Sequence, residues 1–83
     1  MERTKLAEEI INFCITYRLF GKAERMALSK DRIKQGLEDI IFVENLIHTL
    51  ILRTNRIKNI NNARLKKLFL ELEAVRLDLE YGE

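Results

Sequence analysis

Apolar residues recur every three or four positions over the first third of the chain, which is the spacing that lines one face of an α-helix. The members of this stripe are Leu6, Ile10, Phe13, Tyr17 and Phe20. The pattern predicts one helix over about residues 2–28. Gly21 lies inside that range and costs a helix interior about 1 kcal/mol relative to alanine. A kink or an early end at Gly21 is therefore the alternative.

A second apolar stripe predicts a helix over about residues 30–58. Its members are Ile33, Leu37, Ile40, Ile47, Leu50 and Ile57. Ser29 is a suitable N-cap, because its hydroxyl can accept from a free backbone amide of the first turn. The segment IIFVENLIHTLIL, residues 40–52, would be apolar around most of the circumference of this helix. Such a helix is typically central and buried on several sides.

A cluster of asparagines predicts a break before a third helix. Asn59, Asn61 and Asn62 favour turns and caps, because their side chains compete for backbone hydrogen bonds. We expect Asn61 or Asn62 to cap a helix over about residues 62–81. The rival interpretation is one continuous helix over residues 30–81, about 78 Å long. That helix would not pack along its whole length within one small chain.

The third helix carries a seam with coiled-coil spacing. Three further residues lie partly off this seam and suggest a second contact surface, namely Phe69, Leu70 and Leu77. The sequence therefore predicts an all-α fold, a single domain over residues 1–83 that forms a three-segment helical hairpin or bundle. Because the second and third helices have more apolar surface than one chain would bury, we expect dimerisation to complete a larger bundle. The predicted oligomer or partner interface consists of Ile47, Leu50, Leu65, Leu68, Leu72, Val75 and Leu79.

Composition limits the class of protein. The chain has 83 residues, of which 47% are hydrophobic and 34% charged, and it contains no proline. That balance suits a small helical domain rather than a disordered tail, and no apolar run is long enough to cross a membrane. The single Cys14 excludes an internal disulfide, and the N-terminus has no apolar secretory segment. We expect a cytoplasmic protein.

Charge is unevenly distributed along the chain. Residues 1–44 contain eight bases and eight acids, residues 45–70 contain six bases and no acid, and residues 71–83 contain five acids and one base. The six bases, which are candidates for binding a polyanion, are Arg53, Arg56, Lys58, Arg64, Lys66 and Lys67. The alternative is structural: bases near a helix C-terminus complement its dipole, and the basic start of helix three would meet the acidic end of an antiparallel second copy.

Catalytic and metal-binding patterns are nearly absent. One histidine and one cysteine do not supply the four ligands of a structural zinc site. No spacing places a base beside Cys14, and His48 lies in the most apolar text, so we interpret both as core or interface residues. We predict no enzymatic activity, cofactor or small-molecule substrate. An enzyme that used Arg18, Arg32 and Glu44 would need a pocket that no motif supports.

Taken together, these patterns predict a small non-catalytic helical protein–protein interaction module, such as an adaptor, inhibitor or regulator. It is expected to act as a homodimer and to bind a protein partner, with no membrane association. The alternative function is a nucleic-acid-binding regulator that uses the basic segment, residues 53–67, on phosphate groups. The absence of interleaved aromatic residues weakens that alternative, because single-stranded nucleic acid is commonly held by stacking.

Overall fold

The computed structural model describes residues 2–82, and this part of the chain forms five α-helices and no strand. The helices are α1 (Arg3–Thr16), α2 (Lys22–Ala27), α3 (Lys30–Gly36), α4 (Ile40–Thr54) and α5 (Asn62–Tyr81). The predicted all-α class is confirmed. The first and second predicted segments are each divided in two, for reasons that lie in the local backbone.

The first segment is divided by a turn that closes α1. The Leu19 amide donates to the Cys14 carbonyl at 3.0 Å, and the Arg18 amide donates to the Ile15 carbonyl at 3.2 Å. Arg18 has a φ of 50°, so it occupies the left-handed position that usually ends a helix in this motif. Gly21 is the N-cap of α2, and its amide donates to the Glu24 carboxylate. The prediction of one helix over residues 2–28 was therefore wrong.

The second segment is divided at Gly36, where α3 ends. A β-carbon on Gly36 would overlap the ring of Phe42, so glycine allows the chain to turn sharply against that ring. Asp39 then caps α4, since its carboxylate accepts from the Ile41 amide at 2.9 Å. Ser29 caps α3 as predicted, and its hydroxyl accepts from the Arg32 amide at 3.2 Å. One helix over residues 30–58 was therefore also wrong.

The predicted break before the last helix is confirmed. Helix α4 ends at Thr54, and α5 begins after Asn61, whose side chain accepts from the Arg64 amide at 3.0 Å. The rival prediction of one helix over residues 30–81 is excluded. Helices α4 and α5 are antiparallel, because Glu44 near the start of α4 lines a groove with Arg76 near the end of α5.

Helix α5 lies between α1 and α4, and α3 packs against α1. The directions of α1 and α5 are opposite, because Arg3 lies near Asp78 at one end while the Asn61 amide donates to the Tyr17 hydroxyl at the other. Four of the helices contribute to one core, whereas α2 buries no side chain. The largest fully buried side chains are Phe13, Leu6, Ile10, Leu37, Leu50, Leu72, Val43 and Cys14.

Candidate functional site

The seven residues predicted to form an interface pack against the core of a single chain. Leu50, Leu68, Leu72 and Val75 are buried, and Ile47, Leu65 and Leu79 are half-buried against the same core. The seam of α5 therefore packs against other helices of its own chain. A second copy has no access to the four buried side chains while the fold is intact, so surfaces open to a partner lie on the outer helix faces.

The outer face of α5 carries an exposed apolar row, which we call the outer stripe. Its large members are Leu70, Leu77 and Tyr81, whose relative exposures are 62%, 43% and 75%. The exposed Ala63 and Ala74 share this face, because all five residues follow helical spacing. Leu70 and Leu77 are two of the three off-seam residues from which the sequence suggested a second contact surface. The third, Phe69, is half-buried against the core of its own chain.

The outer face of α4 is a second exposed apolar surface. Ile41, Ile51 and Leu52 are exposed there, and helical spacing places His48 among them. His48 was expected to be a core or interface residue, and its exposure excludes only the core position. Ile51 and His48 also line a shallow groove with Glu73 of α5, so the two outer faces adjoin.

One of the six predicted polyanion-binding residues, Arg53, forms part of the fold. Its guanidinium donates to the Leu19 carbonyl at 2.8 Å and to both Glu24 carboxylate oxygens at 3.0 and 2.9 Å. It also lies 4.6 Å from the centroid of the Phe20 ring. The hydrogen bond from Arg53 lowers the pKa of Glu24 and raises the pKa of Arg53. Arg53 thereby fastens the end of α4 to the α1–α2 turn.

The other five basic residues lie beside the α4–α5 connection and on the first turns of α5. The Arg64 guanidinium lies 5.5 Å from the centroid of the Phe13 ring, against the core. Arg56 and Lys58 are exposed beside the α4–α5 connection, and Lys66 and Lys67 are exposed on the first turns of α5. These four exposed bases form no salt bridge within residues 2–82. Arg64 and Lys67 line one groove between α1 and α5.

Arg18 joins this basic group in the fold, although it is far from residues 53–67 in the sequence. Arg18, Arg53 and Arg56 line a groove between the α1–α2 turn and the end of α4. Tyr17 and Ile57 form part of its apolar wall. From the sequence, Arg18 was considered only as part of an enzyme pocket and not as a member of this basic group, because only the left-handed turn after α1 brings Arg18 beside α4.

Cys14 is a buried core residue. Burial raises the pKa of its thiol to about 12, an effect that the nearby positive charge of Arg53 opposes but does not cancel. The thiol is therefore protonated at neutral pH, which makes it a poor nucleophile. Within residues 2–82, no group of three His, Cys, Asp or Glu residues is placed to hold a metal ion.

No protein-family model, curated protein or solved structure matches this chain. None of the five helices described is both long and apolar enough to span a lipid bilayer. The argument for function therefore depends on the exposed apolar faces of α4 and α5 and on the arrangement of the basic residues.

Proposed function

We propose that this protein is a small non-catalytic protein–protein interaction module of the cytoplasm, an adaptor, inhibitor or regulator that acts as a homo-oligomer. The observation that carries the proposal is the distribution of exposed apolar side chains. Of eight large hydrophobic residues that are exposed within residues 2–82, six lie on α4 and α5. Helices α4 and α5 pack against each other, and Ile51 and His48 of α4 line one groove with Glu73 and Arg76 of α5.

Exposed apolar residues support an interface only when they are grouped. Single leucines on a surface are ordinary, whereas a contiguous apolar patch commonly marks a binding surface. Ile41, Ile51 and Leu52 share one face of α4, and a partner helix could lie along them with its own apolar face inward. The charged residues Glu44 and Arg76 line the neighbouring groove and would orient such a partner.

The proposal is tested by sedimentation velocity and amide NMR spectra over about 10 μM to about 1 mM protein, a range that covers weak association. We expect concentration-dependent association, with shift changes on α4 and α5 rather than on α2. A protein that stays monomeric throughout this range, with unchanged spectra, would contradict the homo-oligomer.

A matched pair of variants tests whether the α4 face binds a partner. Leu52→Lys adds a charge to that face, and Met26→Lys adds the same charge to a more exposed apolar site on α2. Partners captured by the wild type should be identified by mass spectrometry and then titrated in purified form. Leu52→Lys should weaken binding about tenfold or more, since a charge in an apolar contact is poorly solvated, while Met26→Lys should not. Equal affinities for both variants would remove α4 from the proposal.

A second candidate function, nucleic-acid binding, is favoured by the conformation of Arg18. A non-glycine residue in the left-handed region carries a backbone penalty of about 1–2 kcal/mol. Strained residues of this kind cluster at functional sites. The Arg18 side chain lines the same groove as Arg56, where the two guanidinium groups could contact neighbouring phosphates.

Fluorescence anisotropy of a labelled duplex, at about 50 and about 200 mM salt, tests this alternative, because phosphate contacts are salt-sensitive. Arg18→Gly should raise the free energy of unfolding by about 1 kcal/mol, since glycine relieves the backbone penalty. If the groove binds nucleic acid, the same variant should bind the duplex more weakly than the wild type. Absence of wild-type binding at the lower salt concentration would exclude the alternative.

A further inference from the structure

We propose that the outer stripe of α5 docks against the outer stripe of a second copy, with the two α5 helices antiparallel. This inference rests on the homo-oligomer in the proposed function and names the surface that forms it. The occupant of this face is thus another copy of the chain. Three properties of α5 support that choice: its apolar spacing, its flanking charges and the direction of its dipole.

The spacing of the outer stripe suits a helix partner. Leu70, Ala74, Leu77 and Tyr81 follow steps of four, three and four, which is the repeat that keeps a helix seam facing a neighbouring helix. The small side chain of Ala74 lies in the middle of this run and permits the two backbones to approach closely. The inner seam of α5 is occupied by the chain's own core, so the outer stripe is the face that remains open.

The flanking charges are complementary in the antiparallel orientation. Lys66 and Lys67 flank the beginning of the stripe, and Asp78 and Glu80 flank its end. When two such helices lie antiparallel about an axis near Leu72, each basic end meets the acidic end of the other copy. Helical phase places Lys67 on the same side as Asp78, and Lys66 on the same side as Glu80. A parallel pair would instead place like charges together.

The helix dipole favours the same orientation. Bases at a helix N-terminus and acids at its C-terminus oppose the dipole, and α5 has no acid in its first turn and no base in its last. An isolated α5 would therefore be weakened by its own charges. In an antiparallel pair, the charges at each end of one helix are compensated by those of the other.

Contacts within the chain leave these charged groups available. The Arg3–Asp78 pair is long, at 3.9 Å, and Asp78 remains largely exposed. Arg76 donates to one oxygen of Glu80 at 2.8 Å, and a carboxylate has further lone pairs for another donor. Lys66 and Lys67 form no salt bridge within residues 2–82. A single helix pair is smaller than a standard interface of about 1,600 Å², so we expect a weak, salt-sensitive dimer.

Zero-length cross-linking of the wild-type protein tests the orientation. Lys67 and Asp78 are eleven residues apart, so about 16 Å of helix separates them within one chain. A carbodiimide-induced amide bond between Lys67 and Asp78 can therefore form only between two folded chains. We expect Lys67–Asp78 or Lys66–Glu80 cross-links in an equal mixture of ¹⁴N- and ¹⁵N-labelled protein, with mixed-isotope peptides. If the recovered interchain bonds join other elements, the assigned surface is wrong.

Charge reversal provides a second, independent measurement. Lys66→Glu combined with Lys67→Glu should weaken self-association about tenfold or more, because like charges then meet at both ends. Adding Asp78→Lys and Glu80→Lys to the same chain should restore association, since the complementary pattern returns with reversed sign. Restoration distinguishes a charge contact from general damage, and thermal melting checks that every variant is folded.

A matched control reverses two exposed bases elsewhere. Arg32→Glu with Lys34→Glu changes the net charge by the same amount on α3 and should leave self-association unchanged. If the wild type associates but the α5 reversals behave like this control, the α5 pairing is wrong and another face forms the homo-oligomer. If the wild type does not associate at all, the homo-oligomer itself is contradicted. Association that rises with salt would contradict the antiparallel charge pairing.

Discussion

The inner and outer faces of α5 have the same kind of residues but different surroundings. Leu68, Leu72 and Val75 on the inner face are buried by α1 and α4, whereas Leu70 and Leu77 on the outer face are exposed. A shift of two residues along α5 moves a leucine from the inner face to the outer face. Leucines on the inner face therefore stabilise the fold of one chain, and those on the outer face are available for contacts between chains.

The largest expected effect is a difference in stability between matched leucines. Leu72→Ala should lower the free energy of unfolding by about 2–5 kcal/mol, since it removes buried methyl groups and leaves a cavity. Leu70→Ala removes the same atoms from an exposed site and should change the free energy of unfolding by less than about 0.5 kcal/mol in dilute protein. Urea denaturation at low protein concentration measures both. Equal losses would mean that the two faces are not distinguished by burial.

A smaller effect is expected from the bases that flank the two faces. Arg64→Ala removes the guanidinium that lies over Phe13 and should lower the free energy of unfolding by about 0.5–1 kcal/mol. Lys67→Ala, on the exposed side of the same helix, should have almost no effect on a dilute monomer. Thermal melting monitored by circular dichroism measures both variants. The reverse ranking would contradict the assignment of Arg64 to the fold.

The smallest effect is expected at the edge between the two faces. The hydrogen bond from Arg76 holds the pKa of Glu73 below its ordinary value of 4.5. Since the folded pKa is depressed, the stabilisation by this carboxylate is present above pH 4.5 and is lost as the pH falls through the folded pKa. At neutral pH we expect the melting temperature of the wild type to be slightly higher than that of Glu73→Gln. In acid we expect this difference in melting temperature to vanish. A difference that persists unchanged in acid would contradict this pairing.

Local signals in the sequence were sufficient for the starts of α3 and α5 and for the break before α5. Ser29 and Asn61 act as caps as predicted, because capping depends on side chains within a few residues. The break after α1 was predicted only as an alternative at Gly21, because the left-handed position of the turn holds Arg18 rather than the usual glycine. The end of α3 was missed because Gly36 is required only once Phe42 has folded back against it.

The candidate surfaces were less predictable, because they depend on which elements meet. Periodicity identified the inner seam of α5, but nothing in the sequence indicated that α1 and α4 of the same chain would cover it. The pairing of Arg53 with Glu24 joins residues 29 positions apart, so it depends on the turns that the sequence reading missed. Of the three off-seam residues, Leu70 and Leu77 are exposed, whereas Phe69 packs against the core.

The most direct test of the two-faced helix compares Leu68→Asp with Leu70→Asp by circular dichroism and sedimentation velocity. A buried carboxylate at position 68 should unfold the chain, because its charge would have no partner in the core. A carboxylate at position 70 should leave the helical spectrum intact and produce a folded monomer at concentrations where the wild type associates. A folded Leu68→Asp protein, or a Leu70→Asp protein that associates like the wild type, would contradict the division of α5 into a folding face and a docking face.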